Sequence, residues 1–274
     1  MFPVPTGPFP APRPIAARLT TFAGPPSVRL VSGTGVAVLA LPNRYSVTYL
    51  LLSKDSVGIV DAGSNEDVPR ILDALRWLGR PRNQVRFVAV SHFHFDHVMG
   101  VESLANRLGC PIAVSRPAFD AFHGGAPLRL PTRKAIWPFL QGWAMQGFPF
   151  FSVADWQVVR RFLDPAGTNP MNSELIPLDH GSPLPGLPGW RTLITPGHCD
   201  SAMTLYHRRA GFLVTGDTVR NFQGGEWNPI QVDHEAMLKT RTMLTPLPVR
   251  AIFPGHGPVL EGDGLMTRLK ILDP

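Results

Sequence analysis

The sequence predicts an α+β domain of four layers, helix–sheet–sheet–helix, and three observations carry that prediction. The first is an internal repeat: hairpin, aspartate, helix, strand and histidine follow one another twice. In the first copy, the apolar runs 47–52 and 57–60 flank the polar turn Ser53-Lys54-Asp55-Ser56, and the hairpin ends in Asp61-Ala62-Gly63. In the second, runs 202–206 and 211–215 flank His207-Arg208-Arg209-Ala210 and end in Gly216-Asp217. The second observation is spacing: a Val-Arg pair stands seven residues before a histidine in each copy, Val85 before His92 and Val249 before His256. The third is composition, since 44% of the 274 residues are apolar, enough for a sizeable core. Two similar half-sandwiches packed together bury both faces of each sheet and leave their strand ends on a common seam.

The elements follow in order. Short strands are predicted at 27–31, 36–39, 47–52 and 57–60. A helix over about 66–77 places Val68, Ile71, Leu72, Leu75 and Leu78 on one face. The valine-rich run 85–90 reads as a buried strand, 102–108 as a helix closed by Gly109, and 112–114 as another strand. In the second copy, 191–194 is strand-like, Asp233 caps a helix over 233–244, and 249–253 is a strand. Before the first copy, residues 1–27 form a proline-rich extension, expected to lie extended on the surface. Between the copies lies an insertion at about 116–173 that holds ten of the chain's 25 aromatics, among them Trp137, Phe139, Trp143, Phe148, Phe150, Phe151 and Trp156. That density suits a helical insertion packed on the core, a homodimer contact or an apolar lid over a pocket. Residues 28–274 are expected to form one domain around it.

Charge and cysteine content narrow the function classes. The net charge of +6 leaves anionic partners open, but the basic residues are scattered without the run of a nucleic-acid arm. No stretch approaches the roughly 18 apolar residues of a membrane span, and no signal-peptide core follows Arg13. The two cysteines, Cys110 and Cys199, do not make a disulfide framework, which fits a reducing, cytoplasmic setting.

The chemistry concentrates in His92-Phe93-His94-Phe95-Asp96-His97, directly after the strand 85–90. Neutral imidazoles and a carboxylate are the donors that zinc and similar divalent metals prefer. Four of them on one turn cannot all reach a single ion, which points to two. Downstream, His198, Asp217 and His256 each stand where a predicted strand ends, beside Gly197, Gly216 and Gly255. The remaining histidines read blandly: His123, His180 and His207 as surface or satisfied core residues, His234 as a helix-start residue. Cys199 is expected to pack behind its loop and Cys110, after a helix-stopping glycine, to be buried structure.

With these residues in this order, the chain resembles the metallo-β-lactamase superfamily of hydrolases over nearly its whole length. The resemblance implies the four-layer αβ/βα sandwich. It implies one metal ion on His92, His94 and His198, a second on Asp96, His97 and His256, and Asp217 bridging both, with Asp61 as a support beneath. The implied cofactors are two divalent ions, zinc first, iron or manganese as alternatives. Two such cations roughly 3.5–4 Å apart lower the pKa of a shared water from 15.7 towards about 7, so a bridging hydroxide becomes the nucleophile. Asp96 and Asp217 are the carboxylates implied in catalysis. True zinc β-lactamases usually carry cysteine or serine where Asp217 stands. Lactonases and glyoxalase II share the full set, though lactonases place a tyrosine where this chain has Arg220, which could instead meet an anionic substrate group. The reading is a dinuclear metallo-hydrolase acting on an ester, lactone, thioester or amide of a partly apolar small molecule. The alternatives are a persulfide dioxygenase with one iron at His92, His94, His198 and Asp217, or a phosphodiesterase or nuclease. For the last, His234-Glu235-Ala236 is a faint likeness and the basic exosite arm is absent.

Overall fold

Short apolar strands gather into two sheets and one two-stranded ribbon. The computed structural model describes residues 29–33, 35–129, 152–162 and 171–272. The first sheet runs β1 (Arg29–Gly33), β2 (Val36–Pro42), β3 (Val47–Leu52), β4 (Val57–Val60), β5 (Val85–Ala89), β6 (Ile112–Ser115) and β7 (Leu175–Leu178), neighbours in that order. Its first four strands pair antiparallel, and β4 to β7 pair parallel. Parallel neighbours need crossovers. Helix α1 (Val68–Trp77) supplies one; α2 (Phe95–Val98) and α3 (Val101–Leu108) supply the next. Helices α4 (Arg116–Phe122) and α5 (Val153–Phe162) lie between β6 and β7.

The second sheet has the order β14-β13-β10-β9-β8, from β8 (Trp190–Ile194), β9 (Met203–His207), β10 (Phe212–Gly216), β13 (Ala251–Pro254) and β14 (Leu260–Glu261). Strands β11 (Val219–Arg220) and β12 (Glu226–Trp227) make the separate ribbon. Helix α6 (His234–Leu244) crosses from β10 to its parallel neighbour β13, as α1 crosses from β4 to β5. The repeat seen in the sequence is therefore a repeated hairpin plus crossover. A short helix, α7 (Leu265–Arg268), follows β14.

Alternation along the strands builds three apolar layers. On β3, Leu50 and Leu52 join Ile71, Leu75, Leu104 and Leu108 under the helices, while Tyr49 and Leu51 face the second sheet. There they meet Trp190, Leu205, Phe212, Val214 and Phe253 between the sheets. The far face of the second sheet, with Tyr206, Leu213 and Ile252, packs on Met237, Leu244, Leu265 and Met266. Both sheets are buried on two faces, which is why their strands read as near-continuous apolar runs. The α+β, helix–sheet–sheet–helix expectation holds.

The differences from expectation are local. Helix α1 begins at Val68 because the Asp67 carboxylate is taken by the Ser64 backbone N–H and hydroxyl, forming a turn where a helix was expected. The strand expected at 249–253 starts at Ala251, since the Val249 N–H bonds Leu247 O in a turn. Strand β7 was not expected. It contains Pro177, which cannot donate to a ladder, and it is accommodated at the sheet edge. The extension 1–27 lies outside the described residues, as do Trp137, Phe139, Trp143, Phe148, Phe150 and Phe151 of the insertion. The described flank α5 packs Val158 on Tyr45 and Met99, beside Phe95, and leaves Trp156 exposed. Cys110, expected to be buried, is half-buried after the left-handed cap Gly109 (φ 68°).

Gly58, on β4 in the middle of the first sheet, lies under the Phe87 ring and Leu187. A Cβ there would come within 2.7 Å of Phe87 Cζ and 2.6 Å of Leu187 Cδ1. Gly58→Ala is therefore expected to cost about 1–3 kcal/mol in denaturant unfolding through overpacking, with Phe87→Leu in the same chain recovering part of it.

Candidate metal centre

Strands β4, β5, β8, β10 and β13 all end on one side of the sandwich, and each delivers a residue to the same point. The sharpest departure is at Asp61, directly after β4. Its φ of +59° makes it the one residue other than glycine with positive φ among the described residues. A left-handed aspartate costs free energy that its contacts must offset. The Asp61 N–H bonds Ala89 O at 2.9 Å, and its carboxylate accepts from the Ser91 N–H (2.8 Å) and the Ser91 hydroxyl (2.6 Å). It also lies 2.8 Å from His97 Nδ1.

These bonds orient the imidazoles. His97 gives its Nδ1 proton to Asp61, so Nε2 turns inward. His92 Nδ1 lies 3.0 Å from Ser91 Oγ, whose own proton goes to Asp61, so His92 also presents Nε2. His198 Nδ1 donates to Ile230 O at 2.7 Å, and its Nε2 lies 3.1 Å from His94 Nδ1. For His92, His97 and His198 the inward nitrogen is set by a partner behind the ring, the arrangement that metal-ligating histidines show.

The inward atoms form two groups, His92, His94, His198 and Asp217 in one, Asp96, His97 and His256 in the other. Within each group the donor atoms lie within 4.8 Å of one another, the separation that a shared metal ion needs. Asp217 touches both. Its Oδ2 is 3.9 Å from His92 Nε2, 3.7 Å from His198 Nε2 and 3.3 Å from His256 Nε2, and its Oδ1 is 3.3 Å from His97 Nε2. Asp96 Oδ2 sits 3.2 Å from His256 Nε2 and 3.7 Å from His97 Nε2. Gly255 lets the His256 loop come this close, because a Cβ there would collide with the Asp217 carboxylate.

Among the described residues, three buried atoms here lack a hydrogen-bond partner of good geometry: His92 Nε2, His97 Nε2 and Asp217 Oδ1, the last two facing each other at 3.3 Å. Orphaned polar atoms in a core are costly and rare. Three of them facing one interior point fit divalent cations, and the nitrogen-plus-carboxylate donor set suits zinc, iron or manganese.

The electrostatics divide the histidines. Burial holds His92 well below the usual histidine range and His94 down at about 3, with neighbouring imidazoles adding to it. Burial lowers His198 too, against the pull of Asp217. Burial also opposes charge on His97 and His256, but the surrounding carboxylates outweigh it. Asp96, Asp217 and Asp61 hold His97 well above its usual value, and Asp217 with Asp96 lifts His256 to about 9. Conversely, His256 and His97 overcome the burial of Asp217 and keep it ionised. Without a cation, protons on His97 and His256 balance the carboxylates.

All seven residues singled out from the sequence converge, and Asp61 lies beneath them. The other histidines stand apart. His123 bonds Phe119 O, His180 accepts from the Ile194 N–H, His207 is buried and accepts from the Ala210 N–H, and His234 lies 3.0 Å from Gln231 Oε1. Cys199 packs against Ser201, and burial pushes its thiol up to about 12, so it is not a thiolate donor. Arg220 is neither a surface residue nor free: its Nε lies 3.3 Å from Oε1 of the fully buried Glu226. Ser91 and the Ile230 carbonyl were missed. Ser91's place before His92 was the only hint. Arg129, from the insertion, clasps Asp200 on the His198 loop and Asp233 at the start of α6.

Comparison with known proteins bears on the family and the fold. Residues 41–256 match the model of the Metallo-beta-lactamase superfamily. The chain is 22% identical over 259 residues to a protein of Bacillus subtilis (strain 168) named probable metallo-hydrolase YqjP, covering 85% of this chain and 75% of that one. Its fold resembles the metallo-beta-lactamase family protein TTHA1429 from Thermus thermophilus, with TM-score 0.55, 21% identity, and 85% and 76% of the two chains covered. It also resembles TTHA1623, solved in a di-iron-bound form, with TM-score 0.56, 21% identity, and 88% and 98% covered.

Two outcomes follow. A histidine raised from 6.5 to about 9 stabilises fully below pH 6.5 and stops doing so as pH rises through 9. An aspartate held below 3.8 contributes above pH 3.8 and fails as pH falls. The buried His92, His94 and His198, held low, make folding less favourable wherever the unfolded chain protonates them. Cation-free protein is thus expected to melt highest near pH 6.5 and to weaken both below it and towards pH 9, whereas added cation, competing with the protons on His97 and His256, stabilises more as pH rises. Thermal melts with and without chelator read both slopes. Asp61→Asn keeps a residue that tolerates positive φ but removes the charge, and is expected to weaken metal affinity about 10–100-fold in a competition titration.

Proposed function

Because the chain belongs to the metallo-beta-lactamase superfamily, a group of metallo-hydrolases, we propose that it is a dinuclear hydrolase that cleaves an ester, lactone, thioester or amide of a partly apolar small molecule. The observation that supports this reading best is the completeness of two donor groups with one carboxylate spanning both. His92, His94 and His198 would hold one cation, Asp96, His97 and His256 the other, and Asp217 would bridge them. Two bound cations supply hydroxide at neutral pH by lowering the pKa of the water between them towards about 7. Zinc is the metal proposed, and the di-iron form of a structural relative makes iron the alternative.

The chain's own residues set the rest. Asp61 and Ser91 fix the angle of His97 and His92, and the Ile230 carbonyl fixes His198, so the donors need not reorganise when loaded. Asp96 is the more exposed carboxylate, with 18% of its side chain open against 9% for Asp217. It can carry a proton only when it is not ligating. Partly exposed Phe93 and Phe95 stand in the histidine turn, and the Phe222 ring lies 5.8 Å from that of His256. These rings favour a substrate with an apolar part beside its scissile group. Arg220 is committed to Glu226, which argues against it as the anchor for an anionic group. The segment 28–274 would act as one domain, with the insertion shaping substrate access.

The test couples elemental analysis to a substrate panel of lactones, thioesters, β-lactams, phosphodiesters and persulfides. Two metal ions per chain with hydrolysis of a carbonyl ester or lactone is the expected outcome. Iron alone at one per chain, with oxygen uptake on a persulfide, would move the protein to the dioxygenases. Asp217→Ala is expected to lose metal and activity together, by on the order of a hundredfold or more, since even outer-shell partners cost 10–100-fold. Undiminished activity with one ion bound would sink the bridged centre.

A further inference from the structure

Strands β4, β8 and β10 lead into the metal centre at their C-terminal ends, and their N-terminal ends converge on a separate cavity of about 580 Å³. Its walls are the β3–β4 turn, with Ser53, Lys54, Asp55 and Ser56, and the β9–β10 turn, with His207, Arg208 and Arg209. Gly186 and Gly189, at φ 68° and 84°, also line it. Neither can carry a side chain there, because a Cβ would strike the Arg86 stem at Gly186 and the His207 ring at Gly189.

The charge is one-sided. Lys54, Arg208 and Arg209 are exposed and have no ion-pair partner among the described residues, and Asp55 is the one carboxylate in the lining. Arg86 adds a fourth cation at the edge, its Nε bonded to Ser56 Oγ at 2.9 Å. Uncompensated cations around one concavity repel each other, and an anion placed between them relieves that repulsion. Guanidinium groups bind phosphate oxygens in a forked geometry. The cavity has the volume of a small-molecule site and lies open to solvent, and its cations stand on two facing turns instead of forming the stripe that tracks a polynucleotide.

We propose that this cavity, at the end of the sandwich opposite the metal centre, binds a small phosphorylated molecule carrying two or more negative charges. The site is independent of the hydrolase reading. His207 holds the cavity's shape, since its ring accepts the Ala210 N–H and so fixes the turn that presents Arg208 and Arg209.

The test is amide hydrogen exchange of the metal-loaded protein with and without a hexose bisphosphate, at about 0.15 M salt to screen non-specific attraction. Exchange is expected to slow at 53–56 and 207–211 and to stay unchanged around His198. The double variant R208A/R209A is expected to weaken binding at least about tenfold. K54A, on the other turn, tests the same site should the double variant misfold. Both leave the metal content of the protein unchanged, which verifies their folding. No slowing at either turn, or slowing that survives both variants, would overturn the proposal.

Discussion

The Asp61 carboxylate is the constraint on which the site depends. Held in a left-handed conformation at the end of β4, it collects the Ser91 N–H, the Ser91 hydroxyl and His97 Nδ1. Two histidines of one turn are thereby oriented from a neighbouring strand. The backbone strain is local, while the gain is spread over three bonds in a buried place, where each is stronger than in water. Removing the carboxylate would leave Ser91 and His97 donors unmatched and both rings free to turn.

Around this support, the fold resolves a problem of buried charge. Five imidazoles and two carboxylates lie on the seam between two helix-covered sheets. Burial disfavours charge on His92, His94 and His198, and the carboxylates favour it on His97 and His256. The centre is therefore asymmetric before any ion arrives: one half offers neutral nitrogens, the other holds protons that a cation must displace. Loading of a cation would in this way be linked to proton release. The opposite end of the same strands carries cations without an ion-pair partner among the described residues, so the sandwich has two poles with different chemistry.

Much of this was legible in the sequence. The turn from His92 to His97 declared itself because its donors are contiguous, and His198, Asp217 and His256 because each follows a strand and adjoins a glycine. The repeat betrayed the four-layer architecture because each half makes one hairpin and one crossover. What stayed hidden depends on long-range geometry. The left-handed backbone of Asp61 exists only because Ala89, Ser91 and His97 hold it. The Ile230 carbonyl meets His198 across 32 residues. Strand β7 was masked by Pro177, and Arg220 looked available until Glu226 was seen buried beside it. The cation-lined cavity draws on separate turns, whose charges look scattered along the chain.

The central claim, two cations joined by Asp217, is tested most directly by anomalous X-ray scattering at the metal edge from crystals of the metal-loaded protein. The account predicts two peaks roughly 3.5–4 Å apart with the Asp217 carboxylate between them. A single peak within His92, His94, His198 and Asp217, with His97 and His256 left unligated at full occupancy, would contradict it.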